Sequence, residues 1–164
     1  MVERDQIPRE KMLEIVSDLE EMGVGAVTFS GGGDPFYYKP LLETVKRLAD
    51  GPIRFASLTN GARLSGELAS IFAHHGTWLR VSLDGWDDAS YAKYRGIRVG
   101  EYTKLMENLA AFKRLGGSCY LGISLIVDRD NAEHVEDSVK RLQDIGVDSV
   151  KISPCITSND GKES

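Results

Sequence analysis

The feature that most limits the fold of this chain is an alternation. Helical and extended segments follow one another along its length, and a glycine stands near most of the changes from helix to strand. Residues 8–22 carry Met12, Ile15, Val16, Leu19 and Met22 at helical spacing, with Pro8 near the first turn. Strands are expected at Ala26–Ser30, Ile53–Thr59, Thr77–Leu83, Cys119–Val127 and Ser149–Ser153, with helices near 39–49, 65–75, 88–94, 101–115 and 132–145 between them. Strands alternating with helices of this length imply βαβ units, right-handed crossovers and a parallel sheet. A closed eight-unit (β/α) barrel takes about 250 residues. The 164 residues here leave a doubly wound sheet or a partial barrel.

Strand faces separate those two. A parallel sheet covered by helices on both sides should be apolar on both faces. In the third strand Leu79, Val81 and Leu83 share one face, while Arg80 and Ser82 share the other. Val27 and Phe29 oppose Thr28 and Ser30 in the first strand; Val150 and Ile152 oppose Ser149, Lys151 and Ser153 in the fifth. In the fourth, Leu121, Ile123, Leu125 and Val127 oppose Tyr120, Gly122, Ser124 and Ile126. The second strand is mixed, with Ser57 and Thr59 on the face that carries Phe55. A doubly wound sheet would bury Arg80 and Lys151 under helices at several kcal/mol for each unpaired charge. The reading favoured is a curved partial barrel, greasy outside and polar inside.

Charge and composition narrow the function. The formal net charge is −5, with 20 Lys+Arg against 25 Asp+Glu, which argues against a nucleic-acid or anionic-membrane surface. No apolar run approaches the roughly 20 residues of a membrane span, and the first residues are no signal peptide, so the expected location is cytoplasmic. Residues 1–156 read as one α/β domain and 157–164 as a polar tail expected to fray.

In such folds the chemistry gathers at the C-terminal ends of the strands. Those ends read Ser30-Gly31-Gly32-Gly33-Asp34-Pro35, Thr59-Asn60-Gly61 and Ser82-Leu83-Asp84-Gly85, then Asp128 and Asn131, and Ser153-Pro154-Cys155. Three consecutive glycines let a ligand approach the backbone and meet its N–H and C=O groups. Asp34 suits a cationic amine, Thr59 and Ser82 a carboxylate or ribose, and Asp84 a pair of hydroxyls. Each loop alone is ordinary turn chemistry; together they suit a zwitterionic ligand with a sugar.

Phe29-Ser-Gly-Gly-Gly-Asp-Pro35, Leu58-Thr-Asn-Gly61, Val81-Ser-Leu-Asp-Gly85 and Tyr91-Ala-Lys-Tyr-Arg-Gly96, in this order, resemble the radical S-adenosylmethionine superfamily. So does the hydrophobic strand ending near Val127, before Asn131. The resemblance implies a partial (β/α)₆ barrel that binds S-adenosylmethionine across its mouth. In that family a [4Fe–4S] cluster reduces the sulfonium, and the resulting 5′-deoxyadenosyl radical abstracts a hydrogen from the substrate. The resemblance assigns Gly31, Gly32, Gly33 and Asp34 to the methionine amino group, with Asp34 where the family more often has Glu. It assigns Thr59 and Ser82 to the carboxylate and ribose, puts Asn60 and Asp84 on the same edge, and brings Ile126 or Val127 to the adenine.

The family's cluster motif, C-x₃-C-x₂-C, has no counterpart. An open-iron [4Fe–4S] cluster needs three thiolates, and the sequence holds only Cys119 and Cys155. His74, His75 and His134 are read as surface residues. The expectation is a truncated radical S-adenosylmethionine core, starting after the family's first strand and unable by itself to cleave the cofactor. A non-catalytic module that keeps the nucleotide pocket stays open as the alternative. An unrelated phosphate binder is weaker, since the Lys-Ser/Thr of a P-loop is missing. The substrate, a small molecule or a peptide, is unspecified; Arg80 and Lys151 suit an acidic one, or else pair with Asp84 or hold the cofactor's carboxylate. The open edge of the first strand suggests self-association.

Overall fold

The computed structural model describes residues 6–155; the tail expected at 157–164 lies outside the described residues. Five strands form one parallel sheet: β1 (Ala26–Phe29), β2 (Arg54–Thr59), β3 (Trp78–Leu83), β4 (Tyr120–Val127) and β5 (Ser149–Pro154). The helices are α1 (Arg9–Glu21), α2 (Leu41–Ala49), α3 (Gly66–His75), α4 (Asp88–Arg95), α5 (Glu101–Arg114) and α6 (Val135–Ile145). Two 3₁₀ turns, Pro35–Tyr37 and Ala132–His134, precede α2 and α6.

Strand order decides the architecture. The spatial order is β1-β2-β3-β4-β5, so each strand lies beside its predecessor. Right-handed crossovers that all step the same way put every helix on one face. A doubly wound sheet needs a reversal of direction, and none is present. The sheet is therefore a partial barrel wall with helices outside.

Burial follows the period-two reading. Phe55, Leu79, Val81, Leu83, Leu121, Ile123 and Leu125 face the helices and are buried. All of these but Leu125 meet Leu41, Val45 and Leu48 of α2, Phe72 of α3 and Leu105, Leu109 and Phe112 of α5 in one core. Phe72 is central to it, its ring centroid 5.1 Å from Phe36 and 5.2 Å from Phe55. The opposite face carries exposed Leu58, Tyr120 and Ile126. The two hydroxyls of β2 that break the apolar row are held by β1 and its loop: Ser57 donates to the Phe29 carbonyl at 3.2 Å, and Thr59 to Asp34. A buried hydroxyl costs little once it is bonded. No helix among the described residues is long and apolar enough to cross a membrane.

Candidate functional site

The loop after β1 sets the geometry at the barrel mouth. Gly31 has φ +100° and Gly33 φ +144°, both reserved for glycine, and the Gly33 N–H turns back to the Gly31 carbonyl. A Cβ at Gly31 or Gly32 would meet nothing within 4 Å, so the loop faces open space. Asp34 closes the loop as the cap of the 3₁₀ turn, accepting the Phe36 N–H at 2.8 Å. Its carboxylate also accepts the Thr59 hydroxyl at 3.0 Å and the Asn60 N–H. The two strand ends are thereby laced together by one side chain.

A cleft of about 300 Å³ lies over these ends, lined by Gly31, Gly33, Asp34, Thr59, Asn60, Ser82 and Arg95, among others. Gly32 lines the adjoining groove beside β1. Of the residues singled out from sequence, these are brought together, but their groups are disposed unequally. Thr59 is 4 % exposed and its hydroxyl is turned to Asp34, so both act as framework in this state. Asn60 accepts the Ala62 N–H at 2.9 Å, fixing the turn into α3. Among the described residues the Ser82 hydroxyl has no protein partner, and it lines the cleft. Val127 shares the parity of Leu121, Ile123 and Leu125, which face the helices, whereas Ile126 stands on the open face and is exposed. Neither residue lines the cleft.

Arg95 is the site residue that reading for strand ends overlooked. It is the last residue of α4, whose C-cap is Gly96 at φ +61°, and the helix folds back so that Arg95 reaches Asp84 at 2.6 Å. Gly85 makes this possible, because a Cβ there would sit 2.6 Å from the backbone of Tyr91. The contact lies off the N–H direction. Arg95 Nε and Nη2 and Asp84 Oδ1 are buried atoms without a hydrogen-bond partner. Nη2 still holds the Asp84 carboxylate as an ion pair, so Arg95 Nε and Asp84 Oδ1 are the atoms left bare, at a cost of about 1–3 kcal/mol each. An orphaned donor beside a cleft suits an anionic acceptor, and an orphaned carboxylate oxygen suits a hydroxyl. The signal was in the sequence, in Tyr91-Ala-Lys-Tyr-Arg-Gly96, but not the fold-back.

A second cluster flanks the mouth. Tyr94 donates to Asp128 at 2.8 Å, and its phenol is pushed well up by burial and by that carboxylate. Burial pushes the Asp128 carboxyl up as well, and the bonds from Tyr94, Asn131 and Asp130 more than reverse this. His134 stacks on Trp86 with ring centroids 4.1 Å apart. These contacts tie the loop after β3 to the loop after β4.

The two cysteines lie at different ends of the sheet, and Cys155 is close enough to Tyr94 to act on its phenol. Cys119 is buried just before β4, at the opposite end of the sheet, and burial pushes its thiol up to about 12. Cys155 is exposed beyond β5. Among the described residues no group of three or more His, Cys, Asp and Glu is placed to hold a metal ion. The ligand set for an open-iron cluster is not met by these residues.

The model of the family described as the radical SAM superfamily matches residues 2–142. The chain belongs to the radical SAM superfamily. Solved structures share its fold. SuiB of Streptococcus suis, in a structure bound to S-adenosylmethionine, superposes with a TM-score of 0.76 at 17 % identity, over 98 % of this chain and 37 % of that one. Native anSMEcpe with bound AdoMet gives 0.66 at 17 % identity, over 92 % and 43 %. Archaeal TYW1 gives 0.59 at 18 % identity, over 85 % and 49 %. This radical SAM chain thus spans well under half of SuiB. Among curated proteins none matches it.

Proposed function

We propose that this chain is the S-adenosylmethionine-binding core of a radical SAM enzyme. The observation that carries the proposal is one cleft at the strand ends, where the glycine loop, a free Ser82 hydroxyl and the Arg95 guanidinium, its Nε–H without a partner, converge. Backbone carbonyls of Gly31–Gly33 suit the amino group of the ligand, with the Asp34 carboxylate supplying negative potential behind them. Arg95 and Ser82 suit its carboxylate, the bare Asp84 Oδ1 a ribose hydroxyl, and Ile126 the adenine. Thr59 is a positioning residue that holds Asp34. The family's cluster would supply one-electron reduction of the sulfonium. Its ligand set is not met by these residues, so no step through it is derived.

Calorimetric titration with S-adenosylmethionine tests the reading. Binding to the chain without iron, weakened in Arg95→Gln, is the expected result; no binding would overturn it. Reconstitution with iron and sulfide should leave the chain without a cluster and without 5′-deoxyadenosine. The cluster ligands set a second reading, a module that binds the nucleotide without catalysing its cleavage. It shares the binding result and differs only if 5′-deoxyadenosine is still absent when cluster-bearing residues are provided.

A further inference from the structure

The inner face of the sheet has an electrostatic bias opposite to that of the whole chain. The register puts fifteen strand residues on the face without helices, among them Arg54, Arg80, Ser82, Gly122 and Lys151. Three of these are basic and none is acidic, although the chain has 25 acids against 20 bases. Asp84 does not neutralise them, being engaged by Arg95. Among the described residues Arg54, Arg80 and Lys151 make no ion pair. Arg80 does not snorkel from a strand end: it is mid-strand in β3, with its guanidinium 5.7 Å from the Trp78 ring centroid. This is a cation–π contact near the outer limit of its range, and it leaves the N–H edges of the fork free.

Arg80 pairs in register with Gly122, and Lys151 with Ser124, two residues further along β4. Their backbone positions are therefore separated by two strand spacings, about 10 Å, and by about 7 Å along the strands, which two long side chains can span towards each other. Gly122 lets the neighbouring side chains lie over the sheet between them, since a Cβ there would sit 3.1 Å from Ser149 Oγ and 3.8 Å from Arg80 Nε. Ser82 of the cleft stands two residues above Arg80, about 7 Å along the same strand. A molecule anchored by these cations would abut the ligand in the cleft.

We propose that Arg80 and Lys151 anchor a carboxylate of the substrate on this inner face. The proposal deepens the function given above and rests on it for the word substrate. A carboxylate fits better than a phosphate: one Arg fork and one ammonium satisfy its two oxygens. The backbone N–H groups that phosphate sites use are committed here to the sheet ladder.

The test uses the full chain and defined probes. Glutarate, its neutral analogue glutaramide, inorganic phosphate and the blocked peptide Ala-Glu-Ala are titrated, with amide and Arg80 side-chain NMR shifts as the readout. Glutarate or the peptide should bind, glutaramide should not, and affinity should fall about tenfold in Arg80→Gln and in Lys151→Gln. Tighter binding of the peptide identifies a residue in a polypeptide as the source, and tighter binding of glutarate a free acid. Circular dichroism checks both variants, and Lys151 is exposed enough to be replaced without loss of fold. Equal binding of glutaramide, a preference for phosphate, or variants that bind as well as the parent would overturn the proposal. S-adenosylmethionine affinity should be unchanged in both variants. A fall there would mean that the cations hold the cofactor's carboxylate, and the proposal would fail. A parent chain that binds glutarate through these residues but not S-adenosylmethionine would remove the function and leave the anion site standing.

Discussion

At the scale of single residues, framework and ligand-binding roles divide differently from what residue type suggests. Asp34 and Thr59 both look like groups waiting for a ligand. Their contact joins positions 25 residues apart, which no local pattern reveals, and it commits the Thr59 hydroxyl to the protein. Asp34→Ala removes the acceptor for Phe36 N–H, Thr59 and Asn60 N–H at once and leaves two buried donors without partners. The expected loss is about 2–4 kcal/mol of stability, read from urea denaturation. Arg95→Gln is expected to behave differently. It should weaken S-adenosylmethionine binding about tenfold, because charge-assisted bonds contribute about 1.5–3 kcal/mol. If both variants lose stability alike and neither changes affinity, Arg95 is framework too.

At the scale of elements, the reading from sequence held where one repeat unit decides the outcome. Period-two alternation marks four of the five strands, because a parallel ladder backed by helices on one face forces that period. The mixed β2 is marked instead by its flanking Gly51-Pro52 and Asn60-Gly61. The 3₁₀ turn at Pro35–Tyr37 was not anticipated, since it depends on the Asp34 side chain as cap. The fold-back of α4 was equally illegible, because it requires Gly85 to lie against Tyr91. Gly85→Ala should therefore cost about 1–3 kcal/mol and also weaken ligand binding, since Arg95 is carried on the displaced helix. Normal stability with full binding would show that α4 is free to shift.

The start of α4 gives a pH dependence. Asp87 caps it, accepting the Ser90 N–H at 2.7 Å, while the Ser90 hydroxyl returns to the Asp87 N–H. The Ser90 backbone bond holds the Asp87 carboxyl below its ordinary value. A folded-state value below the unfolded one, near 3.9, means that this stabilisation is present above that pH and is lost as the pH falls through the folded value. Asp87→Ala should cost about 1 kcal/mol at neutral pH. Its melting temperature should also fall less than the parent's on acidification from pH 5 towards pH 2. Parallel curves for the two proteins would remove Asp87 from the acid response.

At the scale of the molecule, strand order that steps in one direction has a cost at its ends. The sheet begins at β1 and stops at β5, and neither outer edge is paired among the described residues. At the β1 edge Ala26 and Thr28 are open to solvent, and the groove of about 570 Å³ beside it is lined by Ile7, Met12, Phe29 and Leu41. Unpaired N–H and C=O groups next to apolar surface favour addition of another strand. We propose that the isolated chain associates with itself through this edge. β1 has no charged residue and no proline to oppose pairing, the two commonest devices of natural edges. Light scattering across a concentration series should show mass rising with concentration. Val27→Lys puts a charge on the edge strand and should shift the series towards monomer, at some cost in packing, whereas a lysine at exposed Met22, outside the strand, should not. A mass that stays monomeric throughout would mean that the groove beside β1 is too shallow to hold a partner strand, and the edge would then be protected by geometry rather than by charge.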